Sequence, residues 1–182
     1  MNNMKCERCP DLVYSRKLYP WGKSTYGFGK SPCDIMFVGE APGKAGCGTT
    51  GIAFTGDRSG KFFQECLKAS GLTKEKVYIT NIVKCCPENN RTPTQAEVAN
   101  CVKYLIQEIK IVNPTYIIPL GALATHFFIT GKMSTLINRI FRWKERVIIP
   151  LYHPAYALRM GTRVVYKNRF KHLLTTILKI GD

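Results

Sequence analysis

The chain has 182 residues, 45% of them hydrophobic, which is enough for one domain with a core of its own. Twenty-seven Lys and Arg against twelve Asp and Glu give a formal charge of +15, so a polyanion is the expected partner and nucleic acid the leading one. No apolar run approaches the ~20 residues that span a bilayer, and Cys6 and Cys9 stand where a secretory signal needs apolar residues, so no membrane partner and a cytoplasmic, reducing location are expected, with the eight cysteines as thiols or metal ligands.

Residues 1–33 read as irregular, because Pro10, Pro20, Gly22, Gly27, Gly29 and Pro32 break any period; something else must order them. Asp34 to Val38 is a short β-rich run that leads into the polar loop Gly39-Glu40-Ala41-Pro42-Gly43. From Ser59 to Ser70, Phe62, Phe63, Cys66 and Leu67 share one helical face, with Gly71 as terminator. Val77 to Val83 reads as a strand. Thr94 and Glu97 form a capping box for a long helix bearing Val98, Val102, Leu105, Ile106 and Ile109, and Asn113-Pro114 ends it.

Tyr116 to Leu120 is another buried strand, followed by Gly121 and a helix to about Ile129. Val147 to Leu151 is the fourth strand and runs into His153-Pro154-Ala155-Tyr156-Ala157-Leu158-Arg159; a last helix covers about Val164 to Ile180. The alternation predicts a three-layer α/β/α fold with a central four-stranded parallel sheet, in one domain over residues 1–182. Ligands of such sheets collect beyond the carboxyl ends of the strands, so the Glu40 loop and the His153 loop are expected to meet in one pocket, as in an enzyme.

Cys6 and Cys9 are two residues apart, and Cys85 and Cys101 are fifteen apart. Four thiolates at one centre suit zinc or an iron-sulfur cluster and would tie the N-terminal segment to the body of the domain. Spacing does not separate the two metals, and Cys86 rivals Cys85. Cys33, Cys47 and Cys66 read as ordinary buried cysteines, and His126 and His172 as ordinary helical histidines. Gly56 to Lys61 has neither the glycine spacing nor the hydroxyl of a phosphate loop, and the motifs of dinucleotide folds and zinc deaminases are incomplete or absent.

Taken together, Gly39-Glu40-Ala41-Pro42-Gly43, Gly51-Ile52-Ala53-Phe54, Thr80-Asn81, Asn90-Arg91-Thr92-Pro93, His153-Pro154-Ala155 and the four-cysteine spacing resemble the family 4 uracil-DNA glycosylases. The resemblance implies a [4Fe-4S] cluster, in preference to zinc, on Cys6, Cys9, Cys85 and Cys101, and removal of uracil from DNA by base flipping to leave an abasic site. It implies Phe54 stacking on the flipped base, Asn81 reading its edge, and Glu40 walling the pocket. His153 would donate to uracil O2 as negative charge develops, assisted by backbone N–H groups around Ala41 and Gly43. Leu158 would act as a wedge in the vacated stack, and Arg159 as a contact to phosphate or the minor groove.

The sequence departs from that family in two places. Lys44 to Thr50 contains no carboxylate where members commonly carry one, so a backbone carbonyl with bound water, Glu40 or Asp57 would have to substitute; and Ala53 replaces the usual Pro before the stacking Phe. The alternatives are a metal-stabilised DNA-binding or damage-sensing protein with little turnover, and a glycosylase for other deaminated bases such as hypoxanthine or xanthine. The expected partner is uracil-containing DNA and the expected state a monomer.

Overall fold

The computed structural model describes residues 6–18 and 24–181. Its centre is strand β2 (Ile35–Gly39), buried along its whole length, with β3 (Tyr78–Asn81) parallel on one side and β4 (Tyr116–Pro119) parallel on the other. Beyond β4 lies β6 (Arg146–Ile148), also parallel. The anticipated four-stranded parallel core is therefore present. Two short antiparallel edges extend it, β1 (Phe28–Gly29) beside β3 and β5 (Phe141–Trp143) beside β6, giving the order β1-β3-β2-β4-β6-β5.

A strand covered on both faces must be apolar at every position, and β2 shows why its run has no polar alternation. Ile35 and Phe37 point into one core, with Phe62, Phe63 and Leu67 of α3 (Arg58–Ala69), Ala157 of α7 (Pro154–Arg159) and Phe170 and Leu174 of α8 (Arg163–Gly181). Met36 and Val38 point into the other, with Leu12 of α1 (Pro10–Leu18), Leu105 and Ile109 of α4 (Gln95–Val112) and Ala124 of α5 (Ala122–Phe128). These are the three layers. Two single-turn helices, α2 (Cys47–Thr50) and α6 (Met133–Leu136), complete the set.

Helix α4 follows its local signals closely. The Thr94 hydroxyl accepts from the Glu97 N–H at 3.2 Å, the Glu97 carboxylate accepts from the Thr94 N–H at 2.7 Å, and Asn113 closes the other end at φ 49° before Pro114. The N-terminal segment is less irregular than its prolines suggest, since Pro10 opens α1 from the first helical position, where its missing N–H costs nothing. Pro20 and Gly22 lie outside the described residues. No helix among the described residues is long and apolar enough to cross a membrane.

Candidate active site

Strand β2 is the switch point of the sheet, because the chain leaves it for β3 on one side and later for β4 on the other. A crevice opens beyond the carboxyl ends at such a point. Gly39 is the last residue of β2 and pairs with Asn81, the last residue of β3. A Cβ on residue 39 would lie 2.3 Å from Asn81 Oδ1 and 3.2 Å from the Phe54 ring, so the bare backbone there is what lets the amide and the ring approach each other. The Phe54 and His153 rings stand 5.5 Å apart. His153 in turn reaches the crevice from beyond β6, its Cβ 3.3 Å from where a Cβ on Gly121 would be, at the end of β4. Phe54, Asn81 and His153, separated by up to 99 positions in sequence, thus meet at one end of the sheet.

Phe54 is held against its backbone preference. Its φ of 51° lies in the left-handed region, which is uncommon for a bulky residue, while its carbonyl accepts from Gln64 Nε2 at 2.8 Å and its ring packs 4.5 Å from Phe63. Asn81 is buried, its Nδ2 3.9 Å from Cys47 Sγ. Cys47 is buried as anticipated, but beside the candidate base reader; burial pushes its thiol up to about 11, so it is neutral and no nucleophile at ordinary pH.

His153 sits at the N-cap of α7, and its Nδ1 accepts from the Ala155 N–H at 3.2 Å. With Nδ1 committed as acceptor, the proton of a neutral ring belongs on Nε2, which is left to donate. Part of the residue reaches the surface, yet the ring is packed closely enough that desolvation dominates and lowers its pKa to about 4. Asp57 opposes that shift and Arg159 adds to it. Between pH 4 and 6.5 the unfolded chain binds a proton here that the folded one refuses, so this group costs stability as pH falls through that window and is indifferent above it. An NMR titration should accordingly leave the His153 ring shifts unchanged from pH 8 to about 5.5. A midpoint near the usual 6.5 would contradict the packing described here.

The remaining loop residues brace the site. Lys44 N donates to Asn90 Oδ1 at 2.7 Å, and Arg91 forms a two-pronged pair with Glu97 at 2.6 and 2.8 Å. The Glu40 carboxyl bonds the Thr92 side chain, with burial as the larger influence holding its pKa above the ordinary value. Ala41 and Gly43 follow in the same loop. In the segment without a carboxylate, Asp57 comes close: its Oδ1 caps α3 through the Gly60 N–H at 2.6 Å, and its Oδ2 lies 3.4 Å and 2.4 Å from where Cβ atoms on Gly43 and Gly46 would stand. Arg159 is exposed and lies 5.8 Å over the Tyr156 ring, whereas Leu158 is half-buried against the α3–α8 core and the nearby Met160 is 55% exposed.

In the layer packed by α1 and α4, Cys6, Cys9, Cys85 and Cys101 line one small cavity with Leu12, Val13, Asn100 and Tyr104; Cys86 is not among them. Each sulfur has a donor: Tyr104 at Cys6, Asn100 Nδ2 at 3.6 Å from Cys9, Arg16 Nη1 at 3.8 Å from Cys85, and the Lys84 N–H at 3.2 Å from Cys101. Among the described residues no group of three or more His, Cys, Asp or Glu is disposed to hold one metal ion. The thiols surround a cavity instead of converging on a point. Four sulfurs with N–H and O–H donors behind them fit an iron-sulfur cluster, whose properties depend on hydrogen bonds to sulfur.

Residues 26–178 match the family model described as the uracil DNA glycosylase superfamily. The chain is 42% identical over 159 residues to the type-4 uracil-DNA glycosylase of Thermotoga maritima, covering 85% of this chain and 79% of that one. It is 35% identical to the type-4 uracil-DNA glycosylase of Archaeoglobus fulgidus, covering 93% and 87%. A type-5 uracil-DNA glycosylase of Pyrobaculum aerophilum is also 35% identical, over 66% of this chain and 63% of its own length.

Proposed function

The chain belongs to the type-4 uracil-DNA glycosylases, and from that membership we infer that it hydrolyses the N-glycosidic bond of uracil in DNA and leaves an abasic site. The observation that carries the assignment to particular residues is the meeting of Phe54, Asn81 and His153 over Gly39. An everted uracil stacks on Phe54. It presents N3–H to Asn81 Oδ1 and O4 to Asn81 Nδ2, a pattern that cytosine inverts. Cys47 Sγ stands 3.9 Å from the amide nitrogen whose N–H uracil O4 would receive.

Bond cleavage puts negative charge on the departing base and positive character on the sugar. The neutral His153 ring points its Nε2–H at uracil O2 and stabilises that charge without giving up a proton, with N–H groups near Ala41 and Gly43 as further donors. Asp57 Oδ2, close against Gly43 and Gly46 and electrostatically in reach of His153, takes the part of the carboxylate missing from residues 44–50, facing the sugar cation or the attacking water. Glu40, tied to Thr92, closes the wall. Arg159 engages the phosphate backbone, and the apolar tip of Leu158 and Met160 fills the vacated stack, which for Leu158 means leaving its present packing.

Cys6, Cys9, Cys85 and Cys101 would hold a [4Fe-4S] cluster that serves as a structural clamp for the N-terminal segment. Anaerobically purified protein is expected to contain iron and acid-labile sulfide in equal amounts, four of each per chain on this reading; zinc without iron would replace the cluster but keep the clamp. The function itself is tested on a single-uracil oligonucleotide. Alkali-labile sites should accumulate with multiple turnovers, and their absence at stoichiometric, iron-loaded protein would return the chain to a DNA-binding role.

A further inference from the structure

We propose that Lys84 is a positioning residue that couples the thiol cavity to base reading, giving its backbone N–H to Cys101 and its ammonium group to the main chain of Asn81. The proposal rests on the reading of Asn81 given above. Lys84 is 1% exposed, and its Nζ donates to Asn81 O at 2.7 Å, Thr80 Oγ1 at 2.6 Å and Glu108 Oε2 at 2.5 Å, which uses all three ammonium hydrogens. Its N–H reaches Cys101 Sγ at 3.2 Å, and its carbonyl accepts from the Thr25 N–H at 2.7 Å. Glu108 is fixed from both sides, by the Thr80 hydroxyl at 2.7 Å and the Gly27 N–H at 3.0 Å.

A buried ion pair is weak evidence for stability, because well-packed apolar residues commonly replace one at no loss. An apolar side chain could not, however, grip the Asn81 carbonyl. Gly39 and Asn81 are the last pair in the β2–β3 register, backbone bonds from Ile82 N–H to Gly39 O at 2.9 Å and from Val83 N–H to Glu40 O at 3.0 Å carry the pairing into the loops, and the ammonium group adds a side-chain hold on the Asn81 carbonyl at this junction. Lys84 adjoins Cys85 and bonds Cys101, so a filled cavity fixes its backbone, and through its side chain the backbone of Asn81.

The test uses Lys84→Met combined with Glu108→Met, so that no charge is stranded, in the iron-loaded protein. Iron and sulfide content should be retained, while kcat/KM for uracil release falls roughly ten- to a hundredfold, the usual range for residues behind a ligand shell. The loss should vanish when Asn81→Ala is already present, because the two act through one contact. Hydrogen exchange across residues 78–83 should quicken in wild-type protein stripped of iron and be already quick in the iron-loaded variant. Wild-type rates, or an equal loss in the Asn81→Ala background, would overturn the coupling while leaving the Asn81 assignment intact. If Asn81→Ala alone leaves uracil release unchanged, both fall. If the double variant does not fold, Thr80→Val removes one anchor of the ammonium group and is read by the same cycle, additivity again counting against the proposal.

Discussion

His153→Ala is expected to lower kcat for uracil release by about 100- to 1,000-fold, the effect of removing one preorganised donor from a developing anion. The size follows from three features of the site: the ring is desolvated, its tautomer is set by the Ala155 N–H, and burial keeps it neutral far below the ordinary histidine range. Truncation also removes the cap of α7, so part of the loss would come from a displaced loop. His153→Asn separates the contributions, since its short amide keeps a capping oxygen but does not reach as far as the imidazole. Single-turnover rates should fall for both variants, with the thermal midpoint of the Asn variant close to that of the parent. A rate within threefold of the parent for His153→Ala would remove this residue from the chemistry.

Asn81→Asp is expected to depress uracil release by roughly 10- to 100-fold and to raise release of cytosine from undetectable or trace levels. The two side chains have nearly the same shape, so the close fit over Gly39 survives. Their hydrogen-bonding capacity differs, because a carboxylate only accepts. Uracil O4 would face a second acceptor and lose its donor, at a cost of about 1–3 kcal/mol for the unmet group, while the amino group of cytosine would gain a partner. Paired oligonucleotides differing only in the target base measure both changes. If the variant lost activity on uracil and cytosine alike, Asn81 would be reduced to a structural amide.

Much of the scaffold was legible because its signals are local. The capping box at Thr94 and Glu97, the Asn113-Pro114 stop and the unbroken apolar runs of β2 and β4 depend on neighbours within a few residues, and each lies where its pattern predicts. Helix α1 was hidden by Pro10, which disrupts a helix only from the inside. Strand β6 was legible from the apolar run that starts at Val147, whereas β5 is three residues long, too short for a period to show, and the hairpin between them exists because β6 has a free edge to pair. The candidate site was legible only as separate loops. That Cys47 faces Asn81 across 34 positions, that the Asp57 charge acts on His153, and that Asn90 Oδ1 accepts from the Lys44 N–H across 46 positions are products of the tertiary fold, with no trace in spacing.

Phe54 offers a last consequence. Its main chain rests in a conformation that an isolated Phe avoids, so core packing, with Phe63 at 4.5 Å and His153 at 5.5 Å, and the Gln64 bridge keep the platform in place. As the protein warms, this segment should relax before the central sheet separates, and catalytic competence should decay at a lower temperature than the one at which far-ultraviolet dichroism is lost.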